Sequence, residues 1–250
     1  RIAVVAMSDR IALAAMGAMR SWPKVELVSV VGFDDIPAAA AAGLTTVRQD
    51  GVEKGESAVR VVLAPAAAMY AGIAAARNAL YDRGVLAQAE LELPAISVGN
   101  LSVGGTGKTP VAAWFATQLA ERGGRPAIVM RGYGDDEPEV HRRLNPGAIV
   151  VVDPDRVRGV GTAAALGADV AVLDDAFQHR RARRLADVVL VSADRWPGAV
   201  RSLPAGPFRE GLRALRRASH IVVTRKAASR EAASALGGRL AGAAPGVPVA

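Results

Sequence analysis

The chain of 250 residues contains no cysteine. This absence excludes a disulfide framework, a thiolate nucleophile and a cysteine-ligated metal. Aromatic residues make up only 4% of the chain, so alanine, valine, glycine and leucine have to build most of the core. Such a composition favours alanine-rich helices packed on valine-rich strands, and therefore an α/β protein.

Two further absences concern membranes and export. We find no uninterrupted apolar run of the roughly 18 to 20 residues that a membrane-spanning helix requires, and no basic-then-apolar secretory signal. The net charge of +7 comes mostly from arginine. It indicates either a solvated basic surface or a surface for nucleic acid, anionic lipid or phosphorylated ligands, and charge alone does not choose between them. Arg1 stands where a chain start would have Met, so we expect a sequence cut from a longer one.

From residue 95 onward the pattern becomes regular. Fully apolar runs alternate with segments of helical periodicity, which predicts a mostly parallel sheet with helices on both faces. The predicted strands cover 95–99, 127–130, 148–152, 170–173, 188–191 and 221–224, and the clearest predicted helices cover 110–122 and 155–166.

The strongest functional signal is a glycine-rich loop between the first of these strands and the first helix, with the sequence GNLSVGGTGKTP over 99–110. Backbone N–H groups of such a loop can point at phosphate oxygens, and the following helix adds the positive end of its dipole. Lys108 is expected to neutralise the β- and γ-phosphates and Thr109 to ligate Mg²⁺. The predicted nucleotide-binding residues are Ser102, Val103, Gly104, Gly105, Thr106, Gly107, Lys108 and Thr109. The strict pattern has glycine where this chain has Ser102.

Acidic residues form two further signals. Asp174 and Asp175 follow an apolar run directly, as in a Walker B element, and we expect at least one carboxylate to hold Mg²⁺. The segment RGYGDDEP at 131–138 also follows a strand. Its acids are predicted either to orient an attacking hydroxyl or bind the metal, or to be part of a plain polar loop. His141 and His179 have no metal-pair spacing, so a structural role is the simpler interpretation for both.

Four ordered motifs together, at 95–110, 131–138, 174–179 and 203–210, resemble the tetraacyldisaccharide 4'-kinase family over residues 66–245. The resemblance implies a P-loop NTPase-like fold, the cofactors ATP and Mg²⁺, and a peripheral enzyme of lipid A biosynthesis at the cytoplasmic face of the inner membrane. It implies transfer of the γ-phosphoryl group to the 4'-hydroxyl of a tetraacyldisaccharide 1-phosphate, a lipid-linked acceptor. No nucleic acid partner is expected.

The resemblance also implies residue roles. Lys108 serves catalysis as well as nucleotide binding, and Thr109, Asp174 and Asp175 serve the metal. Asp136 matches the catalytic acid and Glu137 lies beside it. Arg209 and His179 are the implied substrate contacts. The helix around 66–83 matches a membrane-associating helix, whereas its spacing alone favours a packed helix.

Two departures from the family pattern bear on activity. In the family a longer insert usually separates the Gly-Tyr-Gly motif from the acidic motif, whereas the two abut here at 132–137. The family also continues past the equivalent of Ala250, into a region with an Asp-His motif. We therefore predict a C-terminally truncated kinase domain over 65–250, in which ATP binding is better preserved than turnover.

Residues 1–64 carry a different resemblance. The segments MSDRIA at 7–12, VGFDDIP at 31–37 and LTTVRQ at 44–49 resemble the effector-binding domain of lactose-repressor-type regulators. This implies a small α/β fragment in front of the kinase domain, with Asp9 as a sugar contact. Two alternatives follow for the whole chain, namely a catalytically inert fusion that binds nucleotide at most, and a sugar-binding regulator fragment. A GTPase would need an Asn-Lys-x-Asp motif, which the sequence lacks.

Overall fold

The computed structural model describes residues 2–5, 9–20, 27–33, 45–47, 51–132 and 136–250. The chain divides into two compact units, residues 1–62 and 63–250. Within its described residues, the first unit contains a parallel sheet in the order β1-β2-β3 and a helix between β1 and β2. These elements are β1 (Ile2–Val5), α1 (Asp9–Arg20), β2 (Leu27–Phe33) and β3 (Thr45–Val47).

The repressor-type identity of residues 1–64 stays a prediction. Much of the three motifs behind it lies outside the described residues, including 6–8, 34–44 and 48–50. Asp9, the predicted sugar contact, begins α1, and its side chain is also outside the description.

A long helix, α2 (Gly51–Asp82), follows. The sequence indicates helical segments over 50–63 and 65–88, and α2 covers most of both. Pro65 lies inside a single continuous helix. A proline inside a helix removes one backbone donor and its ring crowds the preceding turn, but the alanines around Pro65 have the highest helix propensity of any residue, and the helix continues.

The expectation about membrane-spanning segments also needs correction. Within α2, Val61–Asp82 is long and apolar enough to cross a membrane, judged by length and composition alone. The segment is not an uninterrupted apolar run, but a mean hydropathy taken over 18 residues tolerates an isolated charge such as Arg77. Most of this segment is exposed in the structure.

The second unit is built on a six-stranded sheet in the order β6-β5-β7-β4-β8-β9, in which every described pairing is parallel. All six predicted strands and both predicted helices are confirmed. The elements are β4 (Ala95–Asn100), α3 (Lys108–Glu121), β5 (Pro126–Met130), α4 (Asp136–Leu144), β6 (Ile149–Val152), α5 (Arg156–Ala165), β7 (Val170–Asp174), β8 (Ala186–Ser192), a 3₁₀ helix (Leu212–Arg217), β9 (His220–Thr224) and α6 (Arg230–Ala243).

Helices cover both faces of this sheet, as predicted. Because side chains alternate along a strand, neighbouring residues of β5 and β7 face opposite layers. Ile128 and Val172 pack in the cluster that includes the α3 residue Ala112. Val129 and Leu173 pack on the other side, in the cluster with residues of α5. A third cluster joins β8 and β9 to the 3₁₀ helix and α6. Continuous apolar strands are therefore required, since both faces are buried.

Parallel strands bring their carboxyl ends to one edge of the sheet. The glycine-rich loop leaves β4 at this edge, the segment from Arg131 leaves β5, and Asp175 follows β7. The three predicted functional motifs therefore meet at one place because of the topology, although up to 75 residues separate them in sequence.

Candidate functional site

The glycine-rich loop has the backbone of a phosphate-binding loop. Gly104 and Gly107 have φ angles of 107° and 86°, which side chains with a Cβ rarely adopt. Gly107 precedes α3, and no described side chain caps the first N–H groups of that helix. These N–H groups are therefore available to an anion, with the helix dipole behind them.

Two hydrogen bonds hold the middle of the loop in place. The Asn100 side chain donates to Thr106 Oγ1 at 3.0 Å, and Thr224 Oγ1 donates to the Thr106 carbonyl at 3.0 Å. Asn100 ends β4 and Thr224 ends β9, so both anchors belong to the sheet. The loop is consequently preorganised rather than left to be ordered by its ligand.

A pocket of about 470 Å³ lies at the loop, and most of the residues predicted for the site line it. It is lined by Gly104, Gly105, Thr106, Gly107, Lys108, Thr109, Pro110, Met130, Arg131, Glu137, Asp174, Asp175 and Arg209. Ser102 and Val103 were also predicted to bind nucleotide but do not line it. The Val103 N–H donates to the Pro207 carbonyl at 2.8 Å, so that amide is not available to a phosphate.

The two acids after β7 have different surroundings. Asp174 is buried, and its Oδ2 lies 2.9 Å from Nε2 of the buried His141. Asp175 has a φ of 50°, in the left-handed region. Arg209 donates to its Oδ2 at 3.1 Å, and Lys108 Nζ lies 3.8 Å from its Oδ1. The pocket therefore pairs acids with cations on adjacent elements.

Arg156 fixes the backbone behind the acids. Its guanidinium is buried and donates to the carbonyls of Asp153, at 2.9 Å, and Asp174, at 3.0 Å. Burial lowers the pKa of Arg156, while the carboxylates of Asp175 and Asp174 oppose that change. Arginine stays charged under these conditions, so the acids have a cationic neighbour below the sheet edge.

The residues present fit a magnesium ion that is shared with a nucleotide. Oδ1 of Asp174 and Oδ1 of Asp175 are buried and have no hydrogen-bond partner in the described part of the chain. Carboxylate oxygens are ligands that Mg²⁺ prefers, and the Thr109 hydroxyl lies in the same pocket. Within the described residues, no group of three or more His, Cys, Asp or Glu side chains could hold a metal by itself. Mg²⁺ commonly completes its shell with phosphate oxygens and water.

Of the two acids predicted for catalysis, the structure describes one side chain. Glu137 lines the pocket. Burial raises its pKa, and the carboxylates of Asp174 and Asp175 raise it further, against the opposing charge of Lys108. Asp136 begins α4, but its side chain lies outside the described residues, as do residues 133–135. A raised pKa makes the Glu137 carboxylate a better proton acceptor than an ordinary glutamate.

A second cleft, of about 300 Å³, shares Arg131, Asp175 and Arg209 with the first pocket. Its other lining residues are Arg77, Pro154, Arg156, Gln178 and His179. Burial, followed by the charge of Arg156, lowers the pKa of His179 to about 4, so its imidazole is neutral at pH 7. The cationic character of the cleft comes from its arginines, which suits an anionic group.

The sequence gives no functional role to four residues of the site, which are Arg77, Arg131, His141 and Arg156. No local spacing identifies them. His141 meets Asp174 across 33 positions and Arg156 meets it across 18, through strand adjacency rather than through a motif. Arg131 lay within a quoted motif, and its position after a strand was the one available signal.

Comparison with known proteins gives a consistent result. The family model for tetraacyldisaccharide-1-P 4'-kinase matches residues 59–243. A tetraacyldisaccharide 4'-kinase of Anaeromyxobacter sp. (strain Fw109-5) is 42% identical over 194 residues, which is 68% of this chain and 52% of the relative. The relative from Chlorobaculum tepidum is 40% identical over 192 residues, covering 66% of this chain and 55% of its own length.

Among solved structures, the chain is similar to LpxK from Aquifex aeolicus, crystallised in complex with ATP. The two are 36% identical and superpose with a TM-score of 0.62 over 66% of this chain and 59% of that one. The chain thus spans about half the length of the curated relatives it matches.

Proposed function

We propose, because this chain belongs to the tetraacyldisaccharide-1-P 4'-kinase family, that it binds ATP with Mg²⁺ and transfers the γ-phosphoryl group to the 4'-hydroxyl of a tetraacyldisaccharide 1-phosphate. The observation that carries the proposal is the pocket of about 470 Å³, which joins the phosphate-binding loop, the two acids after β7 and Glu137. These are the parts that phosphoryl transfer requires, namely charge neutralisation, metal ligation and a proton acceptor.

Nucleotide binding rests on the loop and Lys108. The uncapped N–H groups at the start of α3 would bind phosphate oxygens, and Lys108 would leave its 3.8 Å contact with Asp175 for the phosphate charge. Thr109, Asp174 and Asp175 would hold Mg²⁺, which supplies charge neutralisation on the phosphates when bound. The protein's own contribution is electrostatic stabilisation and positioning, without a covalent intermediate.

The acids at the start of α4 are suited to the acceptor hydroxyl. We assign proton acceptance to Asp136, as the family resemblance implies, or to its neighbour Glu137, whose raised pKa and place in the pocket support this role. Changing Asp136 or Glu137 to its amide removes the base while leaving the phosphate loop intact. A loss of about 10²- to 10⁴-fold in kcat, with ATP affinity unchanged, identifies the base among the two.

The second cleft suits the 1-phosphate end of the acceptor. Arg209 and Arg131 belong to both cavities, so an acceptor in this cleft would lie next to the transferred phosphoryl group. His179 is neutral at pH 7 and would act there as a hydrogen-bonding group rather than as a cation. These features support Arg209 and His179 as substrate contacts.

Peripheral contact with the cytoplasmic face of the inner membrane is proposed for α2. Its exposed large apolar side chains include Val61, Val62, Met69 and Ile73, each more than 60% exposed. An exposed apolar helix next to an enzyme with a lipid acceptor is typical of interfacial anchoring. Flotation with vesicles of inner-membrane lipids tests it, and a Met69→Ser, Ile73→Ser double variant should bind less.

The decisive experiment measures ATP binding by calorimetry with Mg²⁺ and with EDTA, then product formation from a tetraacyldisaccharide 1-phosphate. Lys108→Ala should abolish most ATP affinity because it removes the phosphate-facing ammonium. Arg122→Ala is the matched control, since it removes one positive charge at the opposite end of α3. Equal ATP binding by Lys108→Ala and the parent would refute the nucleotide site, and binding without product would refute the kinase activity of this chain.

A further inference from the structure

His141 is a buried titratable group to which the proposed mechanism assigns no role. It lies on α4, is 0% exposed and faces Asp174, with 2.9 Å between its Nε2 and Oδ2. An ionised carboxylate only accepts hydrogen bonds, so Nε2 carries the hydrogen and donates it. Nδ1 has no hydrogen-bond partner within the described part of the chain. The histidine therefore makes one side-chain hydrogen bond there, to a predicted metal ligand.

This bond leaves Asp174 with one oxygen occupied and one free. Oδ2 accepts from His141, while Oδ1 is buried and has no partner among the described residues. Arg156 holds the Asp174 carbonyl, so the backbone at this position is also held. The terminal torsion of an aspartate has a broad minimum, and without a donor the carboxylate would turn. The histidine thus determines which oxygen of Asp174 is left without a hydrogen-bond partner among the described residues.

The same contact docks α4. Among the residues of this helix whose burial is described, only Pro138 and His141 are buried, and they lie three positions apart on one side. A helix with so little apolar surface depends on polar contacts for its position. Glu137 lies in the first turn of the same helix and lines the pocket, one turn before His141. Moving His141 would therefore move the acid as well.

A second tether holds the other end of α4 and offers a comparison. Asn145, just after the helix, accepts a hydrogen bond from Thr117 Oγ1 at 2.7 Å and donates to the Ala113 carbonyl at 3.1 Å. Both partners belong to α3. This tether fixes the helix without touching Asp174, so the two effects of His141 can be separated.

We propose that His141 is a positioning residue for the metal site: by donating to Oδ2 of Asp174 it leaves Oδ1 for the Mg²⁺ that this aspartate would hold, and it keeps α4, with Glu137, at the pocket. The inference rests on the proposed function insofar as it assigns Mg²⁺ to Asp174. His141 contacts neither nucleotide nor acceptor and acts only through the aspartate and the helix.

The test measures metal affinity rather than activity. Mn²⁺ binding in the presence of a non-hydrolysable ATP analogue is followed by electron paramagnetic resonance, and the analogue's affinity in EDTA by calorimetry. His141→Leu should weaken Mn²⁺ binding about 10- to 100-fold, the range found when a group that orients a metal ligand is lost. Its analogue affinity in EDTA should stay at the parent value, because the phosphate loop is unchanged. His141→Gln keeps a donor at the end of its side chain and should recover most of the loss.

Thr117→Val is the matched control, since it removes the hydrogen bond between α3 and Asn145 and leaves Asp174 untouched. It should retain parental Mn²⁺ binding. The proposal is overturned if His141→Leu binds Mn²⁺ as tightly as the parent. It is also overturned if Thr117→Val loses as much Mn²⁺ affinity as His141→Leu, because the docking of α4 would then explain the whole effect. Should the leucine variant not fold, His141→Met replaces it, because methionine fills irregular core space. A parent that binds the analogue neither with Mg²⁺ nor in EDTA refutes the nucleotide site instead.

Discussion

Gly99 is a position in the central sheet where one added methyl group should destabilise the fold. It lies in β4, immediately before Asn100, and a Cβ at this residue would stand 2.6 Å from Phe177 Cβ and 2.9 Å from Phe177 N. Phe177 is 0% exposed, and the Arg217 guanidinium lies 4.1 Å from its ring centroid. Because the clash involves the backbone and Cβ of Phe177, a change of its side-chain rotamer cannot relieve it. Gly99→Ala should therefore separate the strand that carries the phosphate loop from the segment after Asp175.

The expected magnitude follows from overpacking in a dense core. Inserting a methyl group into such a site costs about 1–3 kcal/mol of unfolding free energy. In a domain of this size each kcal/mol corresponds to about 2–4 °C in Tm, so Tm should fall by about 2–12 °C. Urea denaturation with a two-state fit measures the free energy, and a scan of the same samples measures Tm. ATP affinity should fall in parallel, since Asn100 anchors Thr106.

Gly211→Ala is the control for that experiment. A Cβ at Gly211 meets nothing within 4 Å among the described residues, and its φ of −72° suits any residue. Its effect should stay within about 0.5 kcal/mol. If Gly99→Ala and Gly211→Ala denature at the same urea concentration, the close packing of β4 on Phe177 does not constrain the protein and the reasoning is wrong.

Three further predictions concern buried and hydrogen-bonded charges. His179 has a folded-state pKa of about 4, below its ordinary 6.5. Between these pH values the unfolded chain binds a proton that the folded chain does not, so the free energy of unfolding should fall as pH drops through this range. The loss should be less than about 1.4 kcal/mol per pH unit, because solvent screens a half-buried imidazole. Asp194 accepts hydrogen bonds from the N–H groups of residues 226–228 at 2.6–2.7 Å, and these bonds lower its pKa. Asp194→Asn should therefore be destabilising at neutral pH. The difference in unfolding free energy between this variant and the parent should vanish as pH falls below the ordinary aspartate range. Arg156→Lys should cost about 1.5–3 kcal/mol in urea denaturation, since a lysine cannot donate to two carbonyls in the same fork geometry.

Each of these predictions has a contradicting outcome. The pH dependence assigned to the imidazole fails if His179→Gln shows the same loss of stability between pH 6.5 and 4 as the parent. A constant difference between Asp194→Asn and the parent from pH 7 down to pH 2 would mean that the carboxylate charge is not what holds the loop. Arg158→Lys, at a mostly exposed side chain, is the control for Arg156→Lys, and an equal effect of the two would remove the special role of the buried guanidinium.

The local patterns predicted most of the second unit because they report directly on burial. Both faces of its sheet are covered, so each strand appears in the sequence as a continuous apolar run such as Pro126–Met130, in which every residue is buried. The glycine-rich loop was equally readable, since positive φ values at Gly104 and Gly107 demand glycine. The local pattern indicated helical segments on both sides of Pro65 but not that they form one helix.

The site shows where local information ends. Five site residues could be predicted from the sequence because each belongs to a short motif at the end of a strand or the start of a helix: Lys108, Thr109, Asp174, Asp175 and Glu137. The parallel topology then brings these ends together. The hydrogen bond from the Val103 N–H to the Pro207 carbonyl could not be predicted from the sequence, because the acceptor belongs to a loop 104 residues away.

The sequence by itself therefore determined the α/β layering, the phosphate loop and the acidic strand end, since each depends on residues that are neighbours along the chain. Only the tertiary structure decided which oxygen of Asp174 stays free, which arginines line the second cleft and how α4 is held at the pocket. His141 illustrates the reason: its partner lies 33 residues away, and a hydrogen bond at 2.9 Å depends on the packing of two separate elements that no local pattern encodes.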